Sequence, residues 1–474
     1  MSKQLLINLF EMNCVSHIVH GLWVHPENNR HRFNDLDYWT ELGQLLEYGT
    51  FDGVFLADVV GTYDQFRGGP ETALREAVQI PSNDPLLVIP AMAAVTHHLG
   101  FGATFSTTYE PPFAFARRMS TLDHLTKGRV GWNIVTSYLP NAARNFGLDG
   151  EVPHDHRYEI ADEYLDVLYK LWEGSWADDA VVLDRANRVY TDPSKVHYIN
   201  HVGEHFKVAG PHLCQPSPQR TPVLFQATGS PAGMAFAGRH AEVVFTGGAT
   251  PAEVRGNIER MREQARLQGR DPAGLKFIVQ AGVIVGRTEV EVHDKLQTYR
   301  RLHSIEGSLA HMQAPFDLTA YPPQARLADV LPENSEAWGL LRRASPDATV
   351  AEALSRINGF SEGRFFVAGT PKVVADEIEK WLDEDGIDGI NLRQFLSFET
   401  ARDFIDLVVP ELRRRGRFRE RYTPGETLRE RLFGAGRARL PDDHHGARYR
   451  DPAALGQASQ PLRFPARPVA AAGV

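Results

Sequence analysis

Eight short apolar runs recur along this chain, near residues 5–10, 53–57, 101–106, 129–133, 223–227, 242–246, 276–284 and 388–393. Helical stretches separate them, at about 35–48, 86–98, 113–124, 155–173, 231–239, 251–268, 288–302, 371–384 and 399–414. Strands joined by helices pair in parallel, because a crossover helix returns the chain to the same end of the sheet. Eight such units close on themselves, so the expected fold is an α/β (β/α)8 barrel. An open doubly wound sheet is the alternative. It usually carries a glycine-rich fingerprint after its first strand, and LINLFEMNC carries none. No Walker loop is present either.

Two helix starts are especially clear. Thr250-Pro251 and Thr370-Pro371 each place a capping hydroxyl before a proline at the first helical position. Three connections, 59–85, 175–221 and 303–365, are too long for simple loops, and in a barrel such insertions form lids, pocket walls or oligomer contacts. The barrel domain is expected over 1–414. The remainder, 415–474, is rich in Arg, Pro and Ala and is expected to be an arm, extended or partly disordered.

A net charge of −9 gives no reason to expect nucleic acid or an anionic membrane as partner. Cys14 and Cys214 have no paired or metal-type spacing, which fits a reducing, cytoplasmic location. The first residues lack the apolar core of a signal peptide, and no uninterrupted apolar run is long enough to span a bilayer.

Active sites of such barrels lie at the C-terminal ends of the strands. Asp58 ends the second strand; Thr104, Ser106 and Thr107 end the third; Asn133, Thr136 and Ser137 end the fourth. The fifth runs into Gly229-Ser230 at a helix start, where free backbone N–H groups and the positive end of the helix dipole suit a phosphate. His154 and Tyr158, four residues apart at the start of a periodic helix, share a face that points back toward the strand ends. Taken alone, that pair reads equally as a histidine at a helix N-terminus and a half-buried tyrosine. A metal site is the competing reading, given His17, His20, His25, His97, His98, His154 and His156. However, the fifth, sixth and eighth strand ends offer only Gln226, Thr246 and Asn391, so no metal is expected. A serine hydrolase elbow is also missing.

Several longer segments carry a resemblance. They are GLWVHPE (21–27), FDGVFLADVVGTYDQFRGG (51–69), AAVTHHLGFGATFSTTYEPP (93–112), RRMSTLDHLTKGRVGWNIVTS (117–137), HDHRYEIADEYLDVLYKLW (154–172), TPVLFQATGSPAG (221–233) and DGINLRQF (388–395). With these the chain resembles the bacterial luciferase-like FMN-dependent monooxygenases. The branch is the one that holds nitrilotriacetate monooxygenase component A and the dibenzothiophene-sulfone and dimethyl-sulfide monooxygenases. LFEMNCVSH, ALREAVQIPSNDP and KLWEGSWADDAV look most similar to the dimethyl-sulfide enzymes.

The resemblance implies a barrel protomer that assembles as a dimer or tetramer. It implies reduced FMN supplied by a separate NAD(P)H:flavin reductase, with O2 as co-substrate. Carried over by position, the FMN contacts fall on Asp58, Thr104, His154, Tyr158 and Ser230. Asp58 and Thr104 would meet the ring edge or ribityl chain, and His154, Tyr158 and Ser230 the phosphate. No catalytic acid or base is nominated, because the flavin carries the oxygen chemistry.

Phe10, Met12, Trp132 and Phe245 suggest an apolar pocket, and Arg67, Arg75 and Arg393 are read as ion-paired rather than substrate-binding. The expected substrate is therefore a small organosulfur compound such as a dialkyl sulfide, oxygenated beside sulfur to release an aldehyde and a thiol. A sulfone or an aminopolycarboxylate is the alternative within the same chemistry. A deazaflavin-dependent oxidoreductase and a non-catalytic flavin-binding protein are the alternatives of another class.

Overall fold

In a computed structural model, the described residues are 3–456 and Leu462, apart from positions 249, 333, 334, 336, 342, 343, 358, 359, 361–364 and 385. All eight expected strands form. They are β1 (Leu6–Met12), β2 (Gly53–Ala57), β3 (Gly100–Ser106), β4 (Val130–Val135), β5 (Val223–Ala227), β6 (Val243–Thr246), β7 (Lys276–Val285) and β8 (Gly389–Arg393). Each pairs in parallel with its neighbour, β8 lies between β1 and β7, and the β6–β7 pairing closes the barrel. The strands are short, branched and aromatic, and almost every position is buried, as expected of strands covered on both faces.

The helices form the outer ring. Among them are α1 (Pro112–Leu125), α2 (His154–Tyr169) and α3 (Pro231–His240). Ser230 caps α3 by accepting the Gly233 N–H at 3.1 Å, and Pro231 occupies its first turn. The helix expected over 86–98 is shorter: a 3-10 turn at Pro85–Leu87 precedes an α-helix of only Ile89–Ala94. Pro90 lacks the N–H that would join the two pieces into one.

Phe365–Gly369 forms a strand that the sequence reading did not place, pairing with the outer half of β7 from Ala281 to Val285. The insertions 59–85 and 303–357 pack on each other. Tyr63, Phe66 and Val78 share an apolar cluster with Leu309, Leu318 and Val350, and Leu139 joins them from the loop after β4. Arg67 bridges the two insertions through Glu306 and Asp317, and Arg75 pairs with Glu306 and Glu76. Arg67 and Arg75 are thus ion-paired at the surface, as expected, whereas Arg393, expected there too, is buried at the end of β8 over the Phe395 ring.

After Arg414 the chain runs beneath the barrel. The helix Leu428–Phe433 starts with a capping box between Thr427 and Glu430. Arg429, fully buried, donates to both carboxylate oxygens of Glu242 at 2.7 and 2.9 Å and to the carbonyls of Thr221 and Pro222. Among the described residues no helix is long and apolar enough to cross a membrane.

Candidate active site

The C-terminal ends of the strands open into a cavity of about 410 Å3. Its lower wall is aromatic. Phe55 sits 4.5 Å from Phe245 and 5.6 Å from Phe10 between ring centroids. Its polar positions are inward-facing strand residues. Asn133 donates to Thr104 Oγ1 at 3.0 Å, while Asn133 Oδ1 and Asn391 Oδ1 are buried with no hydrogen-bond partner among the described residues. Such oxygens are costly to leave unmet, so they mark where a polar-edged ligand fits.

Asp58 reaches the same cavity from the end of β2. Its surroundings are apolar, and the resulting desolvation, with the like charge of Asp84, pushes its carboxyl up to about 8. The Val59 N–H opposes that rise.

The fifth strand end is a cradle. A Cβ built on Gly233 would lie 1.9 Å from Thr228 Oγ1, 2.7 Å from the Tyr158 hydroxyl and 3.0 Å from Ser230 Oγ. Three hydroxyls thus converge on a bare backbone position in the first turn of α3, and Thr228 Oγ1 has no partner of its own. Only glycine leaves room there for a ligand to approach the backbone. His154 packs edge-on against Tyr158 at 5.3 Å between ring centroids, and its exposed Nδ1 faces Asp155 at 2.7 Å. The structure therefore brings Asp58, Thr104 and Thr228 to one cavity; Tyr158 and Ser230 meet Thr228 at Gly233, and His154 lies against Tyr158, but these three do not line the cavity. Thr228, Gly233, Asn133 and Asn391 belong beside them. Of these, the sequence reading names Asn133 and Asn391 as strand-end residues but does not single out Thr228 and Gly233, although they flank the Gly229-Ser230 turn.

Two apolar residues expected in the pocket are elsewhere. Trp132 lies on the helix side of β4, packed between Phe115 and Trp172 with its indole N–H on the Phe105 carbonyl. Strand alternation sends its neighbour Asn133 inward instead. Met12 is buried but does not line the cavity.

The insertions also build a buried polar cluster, tied to the cavity where His17 packs edge-on at 4.4 Å against Phe10. Gln79 donates to the His17 carbonyl at 2.8 Å and lies 3.3 Å from His311 Nε2; the Tyr63 hydroxyl donates to Gln79 at 2.9 Å and meets the Tyr138 hydroxyl at 3.0 Å. Ser16 holds His20 Nδ1 at 3.2 Å. Burial holds both His17 and His20 well below the ordinary imidazole range, so both rings are neutral at pH 7. Sequence reasoning weighed His17 and His20 only as metal ligands. The cluster around them draws on two insertions and the loop after β4, and no local spacing announces that meeting. Among the described residues no three His, Cys, Asp or Glu side chains gather to hold a metal ion.

A closed parallel barrel with a hydroxyl-lined helix start after its fifth strand narrows the candidates, and comparison with known proteins decides among them. The family model for luciferase-like monooxygenase matches residues 12–389. The chain belongs to that family.

Its relatives match along nearly their whole length. The long-chain alkane monooxygenase of Geobacillus thermodenitrificans is 53% identical over 95% of this chain and 99% of its own. The dimethyl-sulfide monooxygenase of Hyphomicrobium sulfonivorans is 45% identical over 95% of each. The crystal structure of a long-chain alkane monooxygenase superposes with a TM-score of 0.87, and covers 95% of this chain and 100% of that one. The expected special closeness to the dimethyl-sulfide enzymes is thus corrected, since the alkane enzyme is the more similar of the two. The protein is a flavin-dependent monooxygenase of the luciferase-like family.

Proposed function

We propose that this protein is the oxygenase of a two-component system. It takes reduced FMN from a separate NAD(P)H:flavin reductase and oxygenates a small, uncharged alkyl compound. The observation that carries the flavin reading is the Gly233 cradle, where three hydroxyls and the α3 N-terminus suit a phosphate. In this reading Tyr158, Ser230 and Thr228 hold the phosphate, and His154 closes the rim. Asp58, Thr104, Asn133 and Asn391 meet the ribityl chain and ring edge. Bound reduced flavin would supply the electrons that activate O2, one atom of which is transferred to the substrate. The chain's own work is to bind, orient and exclude water, for which the apolar lid is suited.

The substrate reading rests on the cavity wall. Phe10, Phe55, Val135, Val279 and Phe245 line it, and among the described residues no Arg or Lys does. A polycarboxylate would find no counter-charge there. A separate groove of about 700 Å3 begins at Thr107, just beyond β3, and offers Phe113, Phe206 and Val208 to an alkyl tail. This favours an alkane of some length, consistent with the more similar relative being named a long-chain alkane monooxygenase. A short dialkyl sulfide is the second reading, supported by the 45% identical relative.

The test is a substrate panel of a linear alkane, dimethyl sulfide and an aminopolycarboxylate, each run with a flavin reductase, NADH and O2. Alcohol from the alkane supports the first reading, and aldehyde with thiol from the sulfide supports the second. Turnover of the aminopolycarboxylate alone would overturn both.

A further inference from the structure

The barrel's other end carries a second cavity of about 770 Å3, between the segments leading into β6 and β7 and the turns after Phe433. Five arginines reach it: Arg270, Arg429, Arg437, Arg439 and Arg450. Three of them are committed to carboxylates. Arg429 is held by Glu242, Arg439 makes two contacts of 2.8 Å with Asp178, and Arg450 pairs with Glu173 and Asp442 at 3.0 Å.

Arg270 and Arg437 are different. Arg270 is only 5% exposed, and its Nη1 donates to the Gly238 and Ala241 carbonyls at 3.1 and 2.7 Å. Its Nε is buried without a hydrogen-bond partner, and it forms no ion pair among the described residues. Burial draws its guanidinium below the usual range, against the opposing pull of Glu242 and Asp443. Arg437 is exposed at the cavity and also forms no ion pair among the described residues.

The carboxylates lining the cavity, Glu242, Asp271, Asp442 and Asp443, all accept hydrogen bonds, although Glu242 and Asp443 still act on Arg270 through charge. Asp443 accepts from the Asp271 N–H at 2.7 Å, Asp271 accepts from the Ala273 N–H at 2.9 Å, and Asp442 and Glu242 hold Arg450 and Arg429. A buried N–H of a cation with no acceptor is expensive, and an anionic oxygen is its natural complement. Two uncommitted guanidinium groups on one cavity suit an anion with several oxygens and more than one charge. The cavity lies within the range of about 300–1,000 Å3 typical of small-molecule sites, and Phe433 gives it an apolar wall.

We propose that this floor cavity is a binding site for a phosphate-bearing small molecule, with Arg270 and Arg437 as its principal contacts. The site is separate from the barrel mouth and does not depend on the flavin reading.

Calorimetric titration of the full-length protein with inorganic phosphate and with AMP, at constant ionic strength, tests it. A Ser230→Ala/Tyr158→Phe double variant removes any contribution from the mouth. Saturable binding of one equivalent that survives in that double variant is expected. It should fall at least tenfold in Arg270→Met and in Arg437→Glu, with oxygenase turnover retained. The exposed Arg437 variant reports on the site even if Arg270→Met folds poorly. AMP binding tighter than phosphate would point to an organic phosphate, and equal affinities to the inorganic ion. The proposal is overturned if neither probe binds saturably, if both floor variants bind as the parent does, or if only the mouth variant loses binding.

Discussion

The hydroxyls of Tyr158 and Ser230, from α2 and from the cap of α3, converge on one glycine. A Cβ at Gly233 would stand 2.7 Å from the first and 3.0 Å from the second. Two elements far apart in sequence thus bring their hydroxyls, with that of Thr228, onto backbone that carries no side chain.

That convergence gives the first prediction. Ser230→Ala and Tyr158→Phe should each weaken FMN while leaving riboflavin nearly unchanged, because a hydrogen bond to a charged group is worth about 1.5–3 kcal/mol. Gly233→Ala should be more severe for FMN, since its methyl would overlap Thr228 Oγ1. Equilibrium titration of both flavins against each variant checks this. Equal losses for the two flavins would put the phosphate elsewhere.

Asp58 predicts a pH dependence. Its carboxyl, normally near 3.8, is raised to about 8 in the folded chain. Between those values the folded state holds a proton that the unfolded state has released. Stability from this group is therefore full below about pH 4, and is lost as pH rises toward 8. Asp58→Asn should remove that loss, so melting temperatures of the flavin-free variant and parent should diverge in the variant's favour from pH 5 to pH 9. A parent curve that parallels the variant would contradict the assigned burial.

The Arg429–Glu242 pair predicts a large stability effect remote from chemistry. Both side chains are buried, so removing one leaves the other charge unpaired, which costs about 3–5 kcal/mol. Arg429→Met should lower the denaturant midpoint sharply. Arg67→Ala, which breaks exposed pairs in the lid, should cost about 1 kcal/mol or less. Urea unfolding of the two variants should rank them in that order.

Much of this architecture was legible in the sequence because each barrel strand is a short buried run between breakers. The Gly229-Ser230 turn and the His154/Tyr158 spacing were legible for the same local reason. What failed was what locality cannot supply. Val130–Val135 is buried on both faces, so nothing in its pattern says that Asn133 faces the cavity and Trp132 the helices. Phe365–Gly369 was missed because it extends β7 beyond the barrel and so adds no unit to the repeat. The buried cluster of His17, Gln79, Tyr63 and His311 assembles from separate segments, and only the folded lid brings them together.

The central claim, oxygen transfer with externally supplied reduced FMN, is tested most directly by a single turnover. Chemically reduced FMN is mixed with the protein and a linear alkane under 18O2, without reductase or NADH. The account predicts substrate-dependent product carrying one 18O atom, and no product when NADH replaces reduced FMN. Product formed from NADH alone, or oxygen drawn from water rather than O2, would contradict it.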